Sequence, residues 1–176
     1  LEMYNTFLDS PYFWGNYNQN VVEREIKSCE RAKIIQDAPI SFIKKNPGEN
    51  INTELVETDP VISGDGKTLV FLRQLKFYNA IFYTRSDSDG WKQPVNINPE
   101  IISDGEFYPT GLSFKGDQLL LIKRDTEDDD IYISKLVDGK WSTAAKLSSK
   151  INSISNESFA SFGPDDKTIY LSSDRH

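Results

Sequence analysis

Histidine and cysteine are nearly missing from this 176-residue chain, which holds one of each, His176 at its last position and Cys29. One cysteine excludes an internal disulfide framework and a thiolate metal site of the CxxC kind. With the lone histidine at the terminus, no Ser–His–Asp, Cys–His or multi-histidine centre can be assembled within the chain. Cys29 reads as a small apolar filler on a helix face rather than a reactive thiol. No apolar run approaches the roughly 20 residues a membrane helix needs. The opening LEMYNTFLDSPYFWG lacks the basic start and apolar core of a secretory signal, as a mature or truncated chain also would. Cations are outnumbered too: the net charge of −7 disfavours a nucleic-acid or anionic-membrane partner, both of which reward clustered Lys and Arg. Glycine-rich phosphate loops and a Gly-x-Ser-x-Gly elbow are also missing.

What is present falls into two rhythms. With 38% hydrophobic and 27% charged residues the composition is that of a soluble, folding protein. From Asn20 to Ala38 the apolar residues Val22, Ile26, Cys29, Ala32 (or Lys33) and Ile35 recur at three- and four-residue spacing, which predicts an amphipathic helix stopped by Pro39. A shorter helix is expected in LEMYNTFLDS, broken at Ser10-Pro11. Residues 1–38 are therefore a helical segment. After Pro39 short β-branched and aromatic runs alternate with Gly, Asp, Asn and Pro, the pattern of antiparallel strands joined by tight turns. They begin with ISFIKK at 40–45 and include single strands expected at KTLVFLRQ, AIFYTRS and WKQPVNI.

These runs repeat. SGDGKTLVF begins at Ser63, SFKGDQLLL at Ser113 and GPDDKTIYL at Gly163, so the period is 113 − 63 = 163 − 113 = 50 residues. The strand at Ile81 returns at Ile131, Trp91 as Trp141, Ile51-Asn52 as Ile151-Asn152 and Glu57 as Glu157. Each complete period holds four strand signals, which points to the four-stranded blades of a β-propeller. The runs TLVFL, QLLLI and TIYLS are almost continuously apolar, as befits an inner strand covered on both faces by neighbouring blades. The expected fold is mainly β: a partial propeller over 39–176, with two full blades and part of a third. The third copy stops after its second strand, so an incomplete ring is expected, from truncation or completed by another chain. ISFIKK stands one period before QPVNI and is expected to act as an outermost strand that clasps the last blade. Trp91 and Trp141, recurring at one position, are read as blade-to-blade packing rather than ligand platforms.

DPVISGDGKTLVF, DDDIYISK and GPDDKTIYLSSDR resemble the WD40-like repeat of TolB-type propellers, roughly P-x-f-S-p-D-G-k-x-i-y-F-x-S followed by D-I-Y. The resemblance runs from about Glu49 to Arg175. The second copy departs from it, with Lys115-Gly116 for Asp-Gly and Thr110 in the place of the proline, which sits one residue earlier as Pro109. The upstream EREIKSCERAKIIQDAPISFIKKNPGENIN is similar to the junction between a tetratricopeptide region and a propeller in OmpA-like envelope proteins of Bacteroidetes. The resemblance implies a periplasmic, outer-membrane-associated scaffold in a secretion or assembly complex. Its partners would be other envelope proteins, and peptidoglycan through an OmpA-like domain outside this chain. No direct membrane span is implied.

The candidate chemistry is sparse. The acidic run Asp125 to Asp130 lacks the alternation and central glycine of a calcium loop and reads as a solvated loop, with Asp130 capping a strand. SDSDG at 86–90 reads as a turn. Paired carboxylates for glycoside hydrolysis would need acids about 5 to 9 Å apart in a central funnel. By position Glu57, Asp59 and Glu157 qualify, and their recurrence favours a structural role. Arg73, Arg85, Lys123 and Arg124, at strand ends, read as solvating. No residue is assigned a catalytic, cofactor or metal role. The expectation is a non-enzymatic interaction module. The alternative is a propeller that binds or cuts glycan or peptide in its funnel, which converging acids and aromatics there would favour.

Overall fold

In the computed structural model residues 2–10, 18–124 and 128–175 are described. The chain divides into two compact units, Leu1–Lys45 and Asn46–His176. Among the described residues no helix is long and apolar enough to cross a membrane.

In the first unit α1 (Glu2–Leu8) packs against α2 (Gln19–Asp37). Asn18 caps α2 by accepting a hydrogen bond from the Asn20 N–H at 3.0 Å, and the helix stops ahead of Pro39, whose ring would clash with another turn. The expected apolar face is only half used: Val22 is buried, Ile26 and Cys29 are half-buried, and Ala32 and Ile35 are exposed. Pro11, where a break was expected, lies outside the described residues. The strand expected at 40–45 is not formed. That segment is irregular, with Phe42 73% and Ile43 83% exposed. An isolated strand leaves its ladder N–H and C=O groups unpaired, and no described strand pairs with this segment.

The second unit is a row of three antiparallel sheets. The first holds β1 (Glu57–Ile62), β2 (Thr68–Gln74), β3 (Asn79–Asp87), β4 (Gly90–Trp91) and β5 (Val95–Asn96). After the short α3 (Asn98–Ile101), the second repeats the plan with β6 (Phe107–Leu112), β7 (Gln118–Arg124), β8 (Asp129–Val137), β9 (Lys140–Trp141) and β10 (Ala145–Lys146). The third has β11 (Glu157–Phe162) and β12 (Ile169–Ser173). The fourth strand of each full sheet, expected as one run, comes in two pieces. The Thr84 hydroxyl donates to the Lys92 carbonyl at 2.7 Å, and Ser134 does the same to Ser142 at 2.6 Å. A side chain of the third strand thus takes over one ladder acceptor and bows the chain outward. Pro94, which has no N–H, breaks the ladder again in the first sheet.

The sheets stack side by side with their first strands together, β1 against β6 and β6 against β11. Val70, Leu72 and Ile81 of the first sheet meet Leu112, Leu119, Leu121 and Trp141 of the second. On the second sheet's far face Leu120 and Ile131 meet Ala160, with Phe162 and Ile169 packed alongside. β7 therefore buries successive leucines on both faces, each contributing about 1.5–3 kcal/mol relative to exposure. This is a partial β-propeller: two four-stranded blades, with the fourth strand split, and the first two strands of a third. Each first strand carries a bulge, between Thr58 and Val61, Pro109 and Gly111, and Glu157 and Phe159.

The turn after each first strand is closed in two ways. Ser63 Oγ accepts from the Lys67 and Thr68 N–H groups and donates to Asp65 at 2.6 Å. Ser113 Oγ accepts likewise from Asp117 and Gln118 and donates to Asp117 at 2.7 Å. Gly163 replaces the serine in the third copy, and the Asp165 carboxylate accepts from Lys167 and Thr168 instead. The departure at Lys115-Gly116 leaves the turn intact, because Gly116 (φ +69°) matches Gly66 (φ +71°).

Candidate functional site: the central concavity

The first strands of three consecutive blades, with the turns after them, border an open concavity of about 390 Å³, lined by Val61, Ile62, Thr110, Leu112, Phe114, Phe162 and Pro164 with three glycines and Ser161. Its floor is a chain of linked turns. The Asp65 N–H donates to the Phe114 carbonyl at 2.9 Å, and the Phe114 N–H donates to Asp166 Oδ1 at 2.6 Å. Phe114 lies so close to Gly64 that a Cβ there would sit 2.4 Å from the ring. Deeper in the wall the Thr110 hydroxyl donates to the Ala160 carbonyl at 2.9 Å and accepts from the Ala160 N–H at 3.1 Å. The side chain of the bulged residue thus bridges two first strands that have no ladder between them. Among the described residues no ionisable side chain lines this concavity. It offers apolar surface and backbone groups, suited to an apolar side chain and not to proton transfer.

The three acids singled out by position lie elsewhere, each bonded within its own sheet. Glu57 accepts from Thr53 Oγ1 at 2.6 Å and Arg73 Nε at 2.9 Å. Glu157, fully buried, accepts from Ser153 N–H (2.9 Å), Ser153 Oγ (2.8 Å), Ser173 Oγ (2.8 Å) and Arg175 (2.9 Å). Burial pushes both carboxyls up. The hydrogen bonds from Thr53 and Arg73 on Glu57, and from Ser153 and Ser173 on Glu157, with the arginine charges, outweigh it and hold both below the ordinary glutamate value. Asp59 is exposed, occupies the β1 bulge at φ +49° and accepts from Thr58 Oγ1. None of the three lines the concavity.

Other candidates have structural neighbours. Of the acidic run, residues 125–127 lie outside the described residues; Asp130 is buried and paired with Lys146, and the Asp129 N–H donates to Asn156. Among the described residues no group of three His, Cys, Asp or Glu side chains is placed to hold a metal ion. Residues 87–90 form the β3–β4 turn, with Asp87 paired to Lys92 at 2.6 Å. Trp141 is buried between blades, edge-on to Tyr83 at 5.4 Å, and its backbone N–H donates to Glu100 at 2.7 Å. Trp91, its counterpart, is half-buried beside Ile51, Leu69 and Phe71. His176 lies outside the described residues. Arg73 is not a solvated strand end: it is buried, stacks over Phe82 at 4.6 Å and donates to the Ile51 carbonyl at 3.1 Å. The half-buried Glu57 beside it supplies the counter-charge. Arg85 and Arg124 are exposed, and Lys123 pairs with Asp104 at 3.1 Å. Of two residues that shape the concavity, Thr110 stands where the second copy departs from the repeat pattern, and Phe114 directly precedes the departure at Lys115-Gly116. These departures were their only sequence signal.

No protein-family model matches the chain, and no curated protein does. Among solved structures, the crystal structure of TolB from Acinetobacter baumannii is similar over 72% of this chain, at 15% sequence identity and a TM-score of 0.46. The chain spans 29% of the length of that protein.

Proposed function

We propose that the chain is part of a non-enzymatic interaction scaffold whose propeller segment docks other proteins, in the periplasm of a bacterium and in association with the outer membrane. The observation that carries this reading is the central concavity, which is apolar and lined by no ionisable side chain among the described residues, while the candidate acids are bonded within their own sheets. Acid–base hydrolysis needs converging carboxylates, and none of the described residues lining this cup is one. The cellular setting rests on the resemblance of the repeat and of the helix-to-propeller junction to envelope proteins. From the same resemblance come the reading of residues 1–38 as the end of a tetratricopeptide-like region, the place in a secretion or assembly complex, and contact with peptidoglycan through a domain outside this chain.

The test is photo-cross-linking in cells, with a benzophenone amino acid placed singly at Phe114, Phe77 and Val137 in the full-length protein. A discrete adduct with one envelope protein from at least one position is the expected result. Absence of any adduct from all three would sink the reading. So would turnover of a glycan or peptide panel that Asp59→Asn or Glu57→Gln abolishes.

A further inference from the structure

The two ends of the blades differ in chemistry. At one end lie the hairpins 63–68, 85–92, 113–118, 135–142 and 163–168, where Asp and Lys or Arg side chains balance and Phe114 and Val137 are exposed. At the other end lie the β2–β3 turn and the loops that lead into β1, β6 and β11, which carry an excess of carboxylates and several unburied apolar side chains. Phe77 is 85%, Ile102 70% and Ile154 98% exposed. Tyr78, half-exposed, stands between two concavities of about 520 Å³ and 390 Å³, with Asp104 in the wall of both and Glu106 in the second. A Cβ on Gly105 would lie 3.6 Å from Tyr78 Cβ, so the hairpin tip of the first blade and the loop before the second form one continuous surface.

Ile102 sharpens the reading. It has left-handed backbone angles, φ +57° and ψ +55°, which a β-branched residue adopts only against steric resistance, and it then shows its side chain to solvent. Neither choice helps the fold, and Asn or Gly would serve the backbone better. Strained residues of this kind gather where a surface is used.

We propose that this end of the propeller is a docking face for a cationic, apolar protein segment, in which Phe77, Tyr78 and Ile102 receive apolar side chains while Glu106 and Asp104 receive flanking lysines or arginines. This deepens the interaction-scaffold reading and rests on it. The charge argues for the occupant. Glu106 is exposed and has no ion-pair partner among the described residues, and Asp104, though paired with Lys123, keeps more than half its side chain in solvent. Lys76 leans on the Phe77 ring at 5.1 Å and is the lysine lining these walls, while Arg124 is held over the Tyr108 ring at 4.5 Å. An anionic lipid surface or nucleic acid would meet the carboxylates unfavourably.

The test is a 15N–1H NMR titration of the full chain with a synthetic peptide, Gly-Lys-Phe-Lys-Leu-Lys-Gly, and with its counterpart carrying Glu for Lys. Saturable shifts at residues 76–78 and 102–106 with the cationic peptide, and at least fivefold weaker binding of the anionic one, are expected. Phe77→Ser and Ile102→Asn should each weaken binding at least fivefold, and Ile102→Asn should at the same time raise the melting temperature, which separates lost docking from lost folding. Equal binding of both peptides, no saturable shift, shifts confined to Ile62, Phe114 and Phe162, or shifts at 76–78 with anionic vesicles instead, would overturn the assignment. Adducts in cells from Phe114 but not Phe77 would also overturn it while leaving the scaffold reading standing.

Discussion

At the scale of the residue, ion pairs with at least one buried partner explain why glutamate returns at 57 and 157. Each closes the start of a first strand onto the end of the second: Glu57 with Arg73, and Glu157 with Arg175. The middle blade solves the same problem differently, with Phe107 at the glutamate position and Lys123 over its ring at 5.7 Å, paired outward to Asp104. Removing one partner of a buried pair strands the other. Arg73→Met is therefore expected to cost about 3–5 kcal/mol in urea unfolding. The double change Glu57→Phe with Arg73→Lys, which copies the middle blade, should recover most of it. Acid sensitivity follows from the same groups. The folded-state pKa of Glu157 is depressed, so its contribution is complete above the unfolded value of about 4.3 and drains away as pH falls through the lower folded value. Glu157→Gln should make stability less dependent on pH in that window, as measured by thermal melts from pH 5 to pH 2.5. An unchanged slope would show that the carboxylate is not the sensor.

At the scale of the element, the turns between first and second strands carry two separate demands that a pair of substitutions can pull apart. Gly66 and Gly116 both need positive φ, but open space surrounds Gly66, whereas a Cβ on Gly116 would sit 2.3 Å from Thr68 Oγ1 of the neighbouring blade. Gly66→Ala should cost only the left-handed penalty, about 1–2 kcal/mol. Gly116→Ala should cost that plus overpacking of about 1–3 kcal/mol, read by chemical denaturation. Equal losses would mean that the blades do not approach there as described. The turns and the apolar second strands of the two full blades were legible because their signals are local: glycine, aspartate and serine at fixed offsets, and runs such as Leu119-Leu120-Leu121. The third run, expected to be covered on both faces, instead leaves Tyr170 and Leu171 exposed, since among the described residues no further blade lies against it. The split fourth strand was not, because it hangs on a hydroxyl from a different strand. The segment 40–45 has strand-like composition, yet composition alone supplies no ladder partner.

At the scale of the whole molecule, blades hold together through side-by-side packing and a few cross-blade hydrogen bonds, of which the Thr110–Ala160 pair is the most buried. Thr110→Val keeps the shape and removes both bonds, leaving the Ala160 N–H and carbonyl unsatisfied. The expected loss is about 1–3 kcal/mol, with faster amide hydrogen exchange confined to β11 and β12. Exchange that rises evenly over all three sheets would argue that the third blade does not depend on this contact. The order of the blade elements within this chain, the apolar second strands and the turn chemistry are written in the amino-acid sequence, because each follows from a pattern recurring every fifty residues. It took the folded arrangement to show that Arg73 is buried, that Thr110 bridges two blades, that no ionisable side chain among the described residues lines the central cup and that Phe77 and Ile102 share one end with Asp104 and Glu106. Those properties arise where residues far apart in the chain meet, and no periodicity along a single strand encodes what lies across the gap.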